Sequence, residues 1–216
     1  MTAFNSENFT KLFRGEQMKV IGITGGVGCG KTTIINLIKE HLNHKKNVKF
    51  TILMTDEISR NLLQPEQKAY VQVVELFGES IVNEDKTIHR GKLAEIIFKN
   101  PNKRIVLNSI IHPLVKQEVI NIINSRRIEE YDYVFIESAL LYDDHYEVFC
   151  DETWYIYAPK EQRIQRLKVS RSYSQDKIES IMKSQLTEQQ FRNQCDVVID
   201  NDKTCDDVRQ QLVKLL

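Results

Sequence analysis

The sequence predicts an α/β fold with a five-stranded parallel sheet and helices on both faces. Three observations predict it. Five short runs rich in β-branched and aliphatic residues, at 19–24, 49–54, 133–137, 152–157 and 196–199, alternate with longer segments of helical period. The apolar stretches VIGIT, FTILM, YVFIE, TWYIY and DVVID are nearly continuous rather than alternating, as strands covered on both faces must be. A glycine-rich turn also separates the first run from the helical segment TTIINLIKEHL, the order of a strand, a tight loop and a helix start.

Composition narrows the partners. The 216 residues carry thirty Lys plus Arg against thirty Asp plus Glu, and no sustained basic block. A net charge of zero gives no footprint for neutralising a nucleic-acid backbone. No apolar run approaches the roughly 18 residues that would span a bilayer, and the first twenty residues lack a signal-peptide pattern. Cys29, Cys150, Cys195 and Cys205 stand far apart without a C-x-x-C pair, so they are read as reduced thiols of a cytoplasmic chain.

Residues 1–17 are polar and without a clean period, and are read as an appendage; Met18, directly before the first strand, is a candidate natural start. Residues 55–132, between the second and third strands, read mostly as helix and exceed what one crossover needs. They are expected to form a helical insertion. Asn100-Pro101 marks a helix start within it, and His112-Pro113 is expected to break or kink a helix. A second helical stretch, 159–191, is dense in Arg, Lys and Gln and suits a mobile cover. Trp154 is expected in the core.

The strongest motif is Gly25-Gly-Val-Gly-Cys-Gly30-Lys31-Thr32, a match to G-x-x-x-x-G-K-[ST] placed between strand and helix as that motif requires. It points to a phosphate-binding loop and to the fold of the P-loop nucleoside triphosphate hydrolases. Glycines let the backbone curl around phosphates so that N–H groups and the helix N-terminus face the anion. Lys31 then offers a mobile charge to the β- and γ-phosphates, and the Thr32 hydroxyl is placed to coordinate Mg²⁺. Cys29 is expected to contribute its backbone N–H while its thiol stays inert. Neither N-K-x-D nor D-x-x-G occurs, which disfavours a switch GTPase, and the chain is short for a motor ATPase. A small-molecule kinase fits, with a non-catalytic ATP-binding regulatory module as the competing class.

Such a kinase needs an acceptor for the proton of the attacking hydroxyl. Asp56 stands just past the second strand with Arg60 four residues on, one turn later if a helix starts at Asp56. A helix N-cap is the alternative role for Asp56. Glu137, at the end of the third strand, resembles the acidic position that assists Mg²⁺ in many phosphate-loop proteins.

From about Met18 to the C-terminus the sequence resembles the dephospho-coenzyme A kinase family. The resemblance rests on TGGVGCGKT at the loop, TDEISR at 55–60, IHRGKLAEIIF from Ile88 and LNSIIHP from Leu107, then IESALL from Ile136, APKEQRIQRLKVSR from Ala158, Gln185 and DVVIDND from Asp196. It implies ATP-dependent phosphorylation of the ribose 3′-hydroxyl of dephospho-CoA, the last step of coenzyme A synthesis, by one kinase domain over 18–216. Its core would be 18–56 and 132–216, its acceptor-binding insertion 57–131, and its lid would lie within 159–191. By motif position Asp56 is the general base and Lys31 the phosphate-neutralising lysine. Gly26, Gly28, Cys29, Gly30, Lys31, Thr32 and Thr33 cradle ATP, Arg166 and Arg171 reach its phosphates from the lid, and Asn201 lies near the adenine. Arg60, Arg90 and His112 face the acceptor. The chain departs from the family at Met54, where a second acid is common, at Ala139 and Asp143, which replace Pro and Glu, and at Ser172 after Arg171. These changes bear on the acceptor pocket more than on the reaction. Nothing in the pattern requires more than a monomer.

Overall fold

The computed structural model describes residues 18–216; the appendage expected at residues 1–17 lies outside them. Strands β1 (Lys19–Thr24), β2 (Phe50–Met54), β3 (Tyr133–Glu137), β4 (Glu152–Tyr157) and β5 (Val197–Asp200) fall within a residue of the predicted runs. All pair in parallel in the order β2-β3-β1-β4-β5. The strands are covered on both sides because successive side chains alternate between faces. Ile21, Ile23, Phe135 and Trp154 enter one apolar cluster with α1 (Lys31–Asn43) and the C-terminal helix α9 (Cys205–Leu215). Val20, Leu53, Val134 and Ile136 enter the other, against the helices between β2 and β3.

Those helices are α2 (Thr55–Leu62), α3 (Lys68–Phe77), α4 (Arg90–Lys99) and α5 (Pro101–Ile128). Asn100 caps α5, its Oδ1 accepting from the backbone N–H of Asn102 and Lys103 at 3.1 and 3.2 Å. Of the break or kink expected at His112-Pro113, the break does not occur: α5 runs on through Pro113. Leu107, Ile111, Val115, Val119 and Ile123 recur every fourth residue and all are buried. Each contributes roughly 1.5–3 kcal/mol, which together outweighs the ~3 kcal/mol cost of an interior proline.

Three further helices follow β4: α6 (Lys160–Arg171), α7 (Gln175–Lys183) and α8 (Glu188–Gln194). Thr187 and Gln190 form a capping box at α8. Phe191 then anchors that helix, its ring stacked on Tyr155 of β4 at 4.8 Å. Trp154 is fully buried, as expected of a core residue.

The topology directs the site. β1 connects outward to β2 at the sheet edge, whereas β3 connects across to β4, so the chain leaves β1 and β3 in opposite directions at their C-terminal ends. Open α/β sheets bind ligands at such a reversal of strand order. There the phosphate loop after Thr24 meets Glu137, which is level with Ile23 of β1 and Met54 of β2.

Candidate active site

The loop from Gly25 to Gly30 leads directly into α1. Gly30 is its N-cap, in the left-handed region at φ 95°, and Gly28 also has a positive φ of 78°. A side chain at either position would be strained and would also collide. A Cβ on Gly30 would stand 2.2 Å from Asn201 Nδ2, and one on Gly28 2.8 Å from the Arg163 carbonyl oxygen. The backbone N–H groups of Gly28, Gly30, Lys31, Thr32 and Thr33 have no protein partner among the described residues. They form a row of donors reinforced by the α1 dipole, which is the geometry of a polyanion site. Cys29 does not join the row as expected. Its N–H closes the loop's own turn onto the Gly26 carbonyl at 3.1 Å, while its thiol is buried.

The loop is held from behind. The Cys29 carbonyl accepts from Asn201 Nδ2 at 2.8 Å and from Arg166 Nη1 at 3.2 Å, and Arg166 Nη2 also donates to the Asn201 carbonyl at 2.9 Å. Arg166 therefore already touches the loop. Val27 is held at both its N–H, which donates to Gln185 Oε1 at 2.8 Å, and its carbonyl, which accepts from Arg163 Nε at 2.9 Å. Arg163 was not foreseen, although a signal existed. It precedes Arg166 by three residues, so both lie on one face of α6.

At the floor of the site Lys31 Nζ donates to the Gly25 carbonyl at 2.9 Å and lies 3.8 Å from Glu137 Oε1. Glu137 is buried at 8% exposure. Burial pushes its carboxyl above the ordinary range, the Lys31 ammonium opposes that rise, and the nearby charges of Asp56 and Glu57 add to it. Asp56 and Glu57 are exposed in the first turn of α2, where negative charge suits the helix dipole. The helix begins one residue before Asp56, with Met54 as its N-cap, so the N-cap role weighed for Asp56 is filled by another residue. The Asp56 carboxylate has no hydrogen-bond partner among the described residues. The strand beside β1 is β3 rather than β2, yet α2 carries Asp56 back toward Glu137.

Asp56 borders a cavity of about 150 Å³ shared with Ser59, Asn108, His112, Ser138 and Asp144. His112 lies mid-helix in α5 and its Nδ1 pairs with Asp144 Oδ1 at 2.7 Å, a partner the sequence did not suggest. A second cavity, of about 430 Å³, opens at the C-terminal end of α2 between Arg60 and Arg90, with Leu63, Ile88, Leu93 and Ile97 as its apolar lining. Arg60 is turned by its own helix, Nε donating to the Asp56 carbonyl at 3.0 Å. Arg90 is exposed at the N-terminus of α4. Among the described residues Arg171 makes no hydrogen bond or ion pair with the loop. It ends α6 exposed, 5.9 Å from the Tyr173 ring centroid. Among the described residues no group of three or more His, Cys, Asp or Glu side chains forms a ready metal cluster. No helix among the described residues is long and apolar enough to cross a membrane.

Known proteins resemble this chain over nearly its whole length. A dephospho-CoA kinase from Carboxydothermus hydrogenoformans is 33% identical over 199 residues, covering 92% of this chain and 93% of its own. One from Enterococcus faecalis is 31% identical over 202 residues, covering 92% and 96%. In three dimensions the dephospho-CoA kinase from Campylobacter jejuni superposes with a TM-score of 0.67 at 23% identity, over 91% of this chain and 94% of that one, which is a likeness of fold. The family model for dephospho-CoA kinase matches residues 19–207, from the first residue of β1 into α9. By that match, and by the identity of relatives aligned over 92% of this chain, the chain belongs to the dephospho-CoA kinase family.

Proposed function

We propose that the protein transfers the γ-phosphoryl group of ATP to the ribose 3′-hydroxyl of dephospho-CoA, giving coenzyme A and ADP in the last step of coenzyme A synthesis. The observation that carries this reading is the row of unpartnered loop N–H groups facing the same strand ends as the exposed carboxylate of Asp56. Phosphoryl transfer needs little covalent chemistry from the protein; it needs in-line positioning and neutralisation of spread charge. The N–H groups of Gly28 and Gly30–Thr33 hold the ATP phosphates, Lys31 neutralises the migrating group, and Arg166 supports the loop from its buried side. Asp56 accepts or orients the proton of the 3′-hydroxyl. Arg171 joins the phosphates when the segment from the exposed end of α6 through α7 closes as a lid on the fixed α6 and α8, and Asn201 supports the adenine side through its grip on Cys29.

The helices α2–α5 form the acceptor-binding insertion. Arg60 and Arg90 pair with the acceptor's phosphates, the apolar lining between them packs its uncharged parts, and His112, held by Asp144, orients it near Asp56. Magnesium fits the residues present. The Thr32 hydroxyl is exposed at the start of α1 and Glu137 stands beside Lys31, and a cation bound mainly through phosphates and water needs only one or two protein oxygens. When bound, it would draw charge from the phosphate oxygens. One chain supplies every group named here, so a monomer suffices, and four free thiols suit a reducing cytoplasm.

The test is ADP release with ATP and Mg²⁺ against a panel of dephospho-CoA, adenosine, AMP, shikimate and no acceptor, with product mass recorded. A gain of one phosphate on dephospho-CoA alone is expected. Transfer to a different acceptor would redirect the insertion to another substrate. ATP binding without transfer to any acceptor would make the protein a nucleotide-sensing module.

A further inference from the structure

Val27 sits between two glycines, at the stretch of the loop with the fewest intrinsic restraints on φ and ψ. Left to itself, that stretch would lose much of any binding energy to ordering. In the structure it is clasped instead. The Val27 N–H donates to Gln185 Oε1 at 2.8 Å, and the Val27 carbonyl accepts from Arg163 Nε at 2.9 Å. These two bonds fix the peptide groups on both sides of one α-carbon. The Arg163 guanidinium also lies over Gly26, where a Cβ would be only 2.2 Å from Nη2.

The clasp has a fixed base. Gln185 lies in the turn between α7 and α8, three residues before α8 begins. That helix is tied to the sheet by Phe191 stacked on Tyr155 and by Arg192 placed 4.5 Å over the Tyr157 ring. The Val27 N–H is thereby withdrawn from the donor row, which begins at Gly28. Lys31 Nζ reaches back to the Gly25 carbonyl, so the clasped limb is also the one nearest the charge that faces the terminal phosphates.

We propose that Gln185 is a positioning residue for the nucleotide, acting through Val27 in concert with Arg163 to hold the loop in its phosphate-ready form. The proposal rests on the reading of this loop as the ATP site. Gln185 sets the loop before ATP arrives and does not contact the acceptor.

The experiment compares Gln185→Ala and Gln185→Glu with the native protein. Residue-resolved amide exchange of Val27 is measured without nucleotide, then KM for ATP, KM for dephospho-CoA and kcat, with Tm as the folding check. Gln185→Ala is expected to speed Val27 exchange by about tenfold or more and to raise KM for ATP by about tenfold, with kcat within about threefold and the acceptor KM unchanged. Gln185→Glu keeps an acceptor oxygen, so Val27 protection is retained. Its charge nevertheless raises KM for ATP, and this increase shrinks as salt is added. Val27 exchange unchanged in Gln185→Ala would overturn the proposal, as would an effect on the acceptor KM alone or a lowered Tm with both KM values unchanged. The exchange measurement needs no substrate. An inactive native protein would therefore count against the assigned reaction while the clasp was still read.

Discussion

The nucleotide side of the site and the acceptor side are built on different terms. Around the loop Cys29, Val27 and Gly25 have backbone groups that are gripped from outside the donor row. Cys29 is held by Asn201 and Arg166, Val27 by Gln185 and Arg163, and Gly25 by Lys31. On the acceptor side the groups in the assigned roles are exposed side chains, apart from half-buried His112 paired with Asp144. Asp56 has no hydrogen-bond partner among the described residues, and Arg60 and Arg90 flank an open cavity. Main-chain recognition of a phosphate chain works only if the backbone is already curled, so its ordering must be complete before the ligand arrives. Side-chain recognition leaves that ordering to the encounter. Substitutions on the two sides should therefore separate stability from activity in different ways.

Asp56→Asn gives the largest effect and tests the acceptor side. The change keeps the shape of the side chain and removes only its charge and basicity. The expected result is a kcat lower by about 10²- to 10⁴-fold, with ATP binding and Tm close to native. Steady-state kinetics beside a thermal melt would read both. A kcat at the native level would remove Asp56 from the chemistry.

Gly30→Ala tests the other side and should damage both properties at once. At φ 95° an alanine is strained, and its methyl would displace the Asn201 amide from the Cys29 carbonyl. Strain plus a lost buried hydrogen bond costs ~2 kcal/mol or more, a Tm fall of roughly 4–8 °C for a domain of this size. KM for ATP should rise by about 10²-fold through the same loop distortion. Loss of ATP affinity at a native Tm would show that the loop is not held by its partners. Arg90→Ala returns to the acceptor side with a smaller effect. One exposed guanidinium lost from a phosphate contact should raise KM for dephospho-CoA by about tenfold, leaving KM for ATP and Tm unchanged.

The contrast also explains what the sequence made legible. Strand positions follow from apolar runs, and the loop follows from glycines whose spacing is dictated by backbone geometry, so both could be placed to within a residue. His112-Pro113 did not end the helix because a local cost was overruled by the buried stripe from Leu107 to Ile123. Pairings such as Gln185 with Val27, 158 residues apart, or His112 with Asp144 have no local pattern. They arise from how α5–α8 pack on the sheet, and a side chain that bonds a backbone group leaves no complementary residue in the sequence to find. Arg163 lay in between, visible only as the helical neighbour of Arg166.

Glu137 is where the two sides meet, and its pH dependence sharpens the comparison furthest. Burial raises its carboxyl above the ordinary range more than Lys31 lowers it, and the charges of Asp56 and Glu57 push in the same direction as burial. Between the ordinary carboxyl range and the raised value, the folded chain holds a proton that the unfolded chain has lost. Stability from this group therefore falls as pH climbs through that window, and above it the folded protein carries a disfavoured buried charge. Glu137→Gln removes the charge and keeps the shape. It should raise Tm by roughly 1–3 °C at pH 8, with the advantage fading as the pH is brought below the ordinary carboxylate range. Activity should fall in the same variant if the carboxylate beside Lys31 helps to hold the proposed cation. A carboxylate that destabilises the fold while serving the reaction would place Glu137 with the exposed Asp56 as a group kept for chemistry. If Glu137→Gln instead lowered Tm at pH 8, the Lys31 pair would outweigh burial, and Glu137 would belong with the residues that hold the loop.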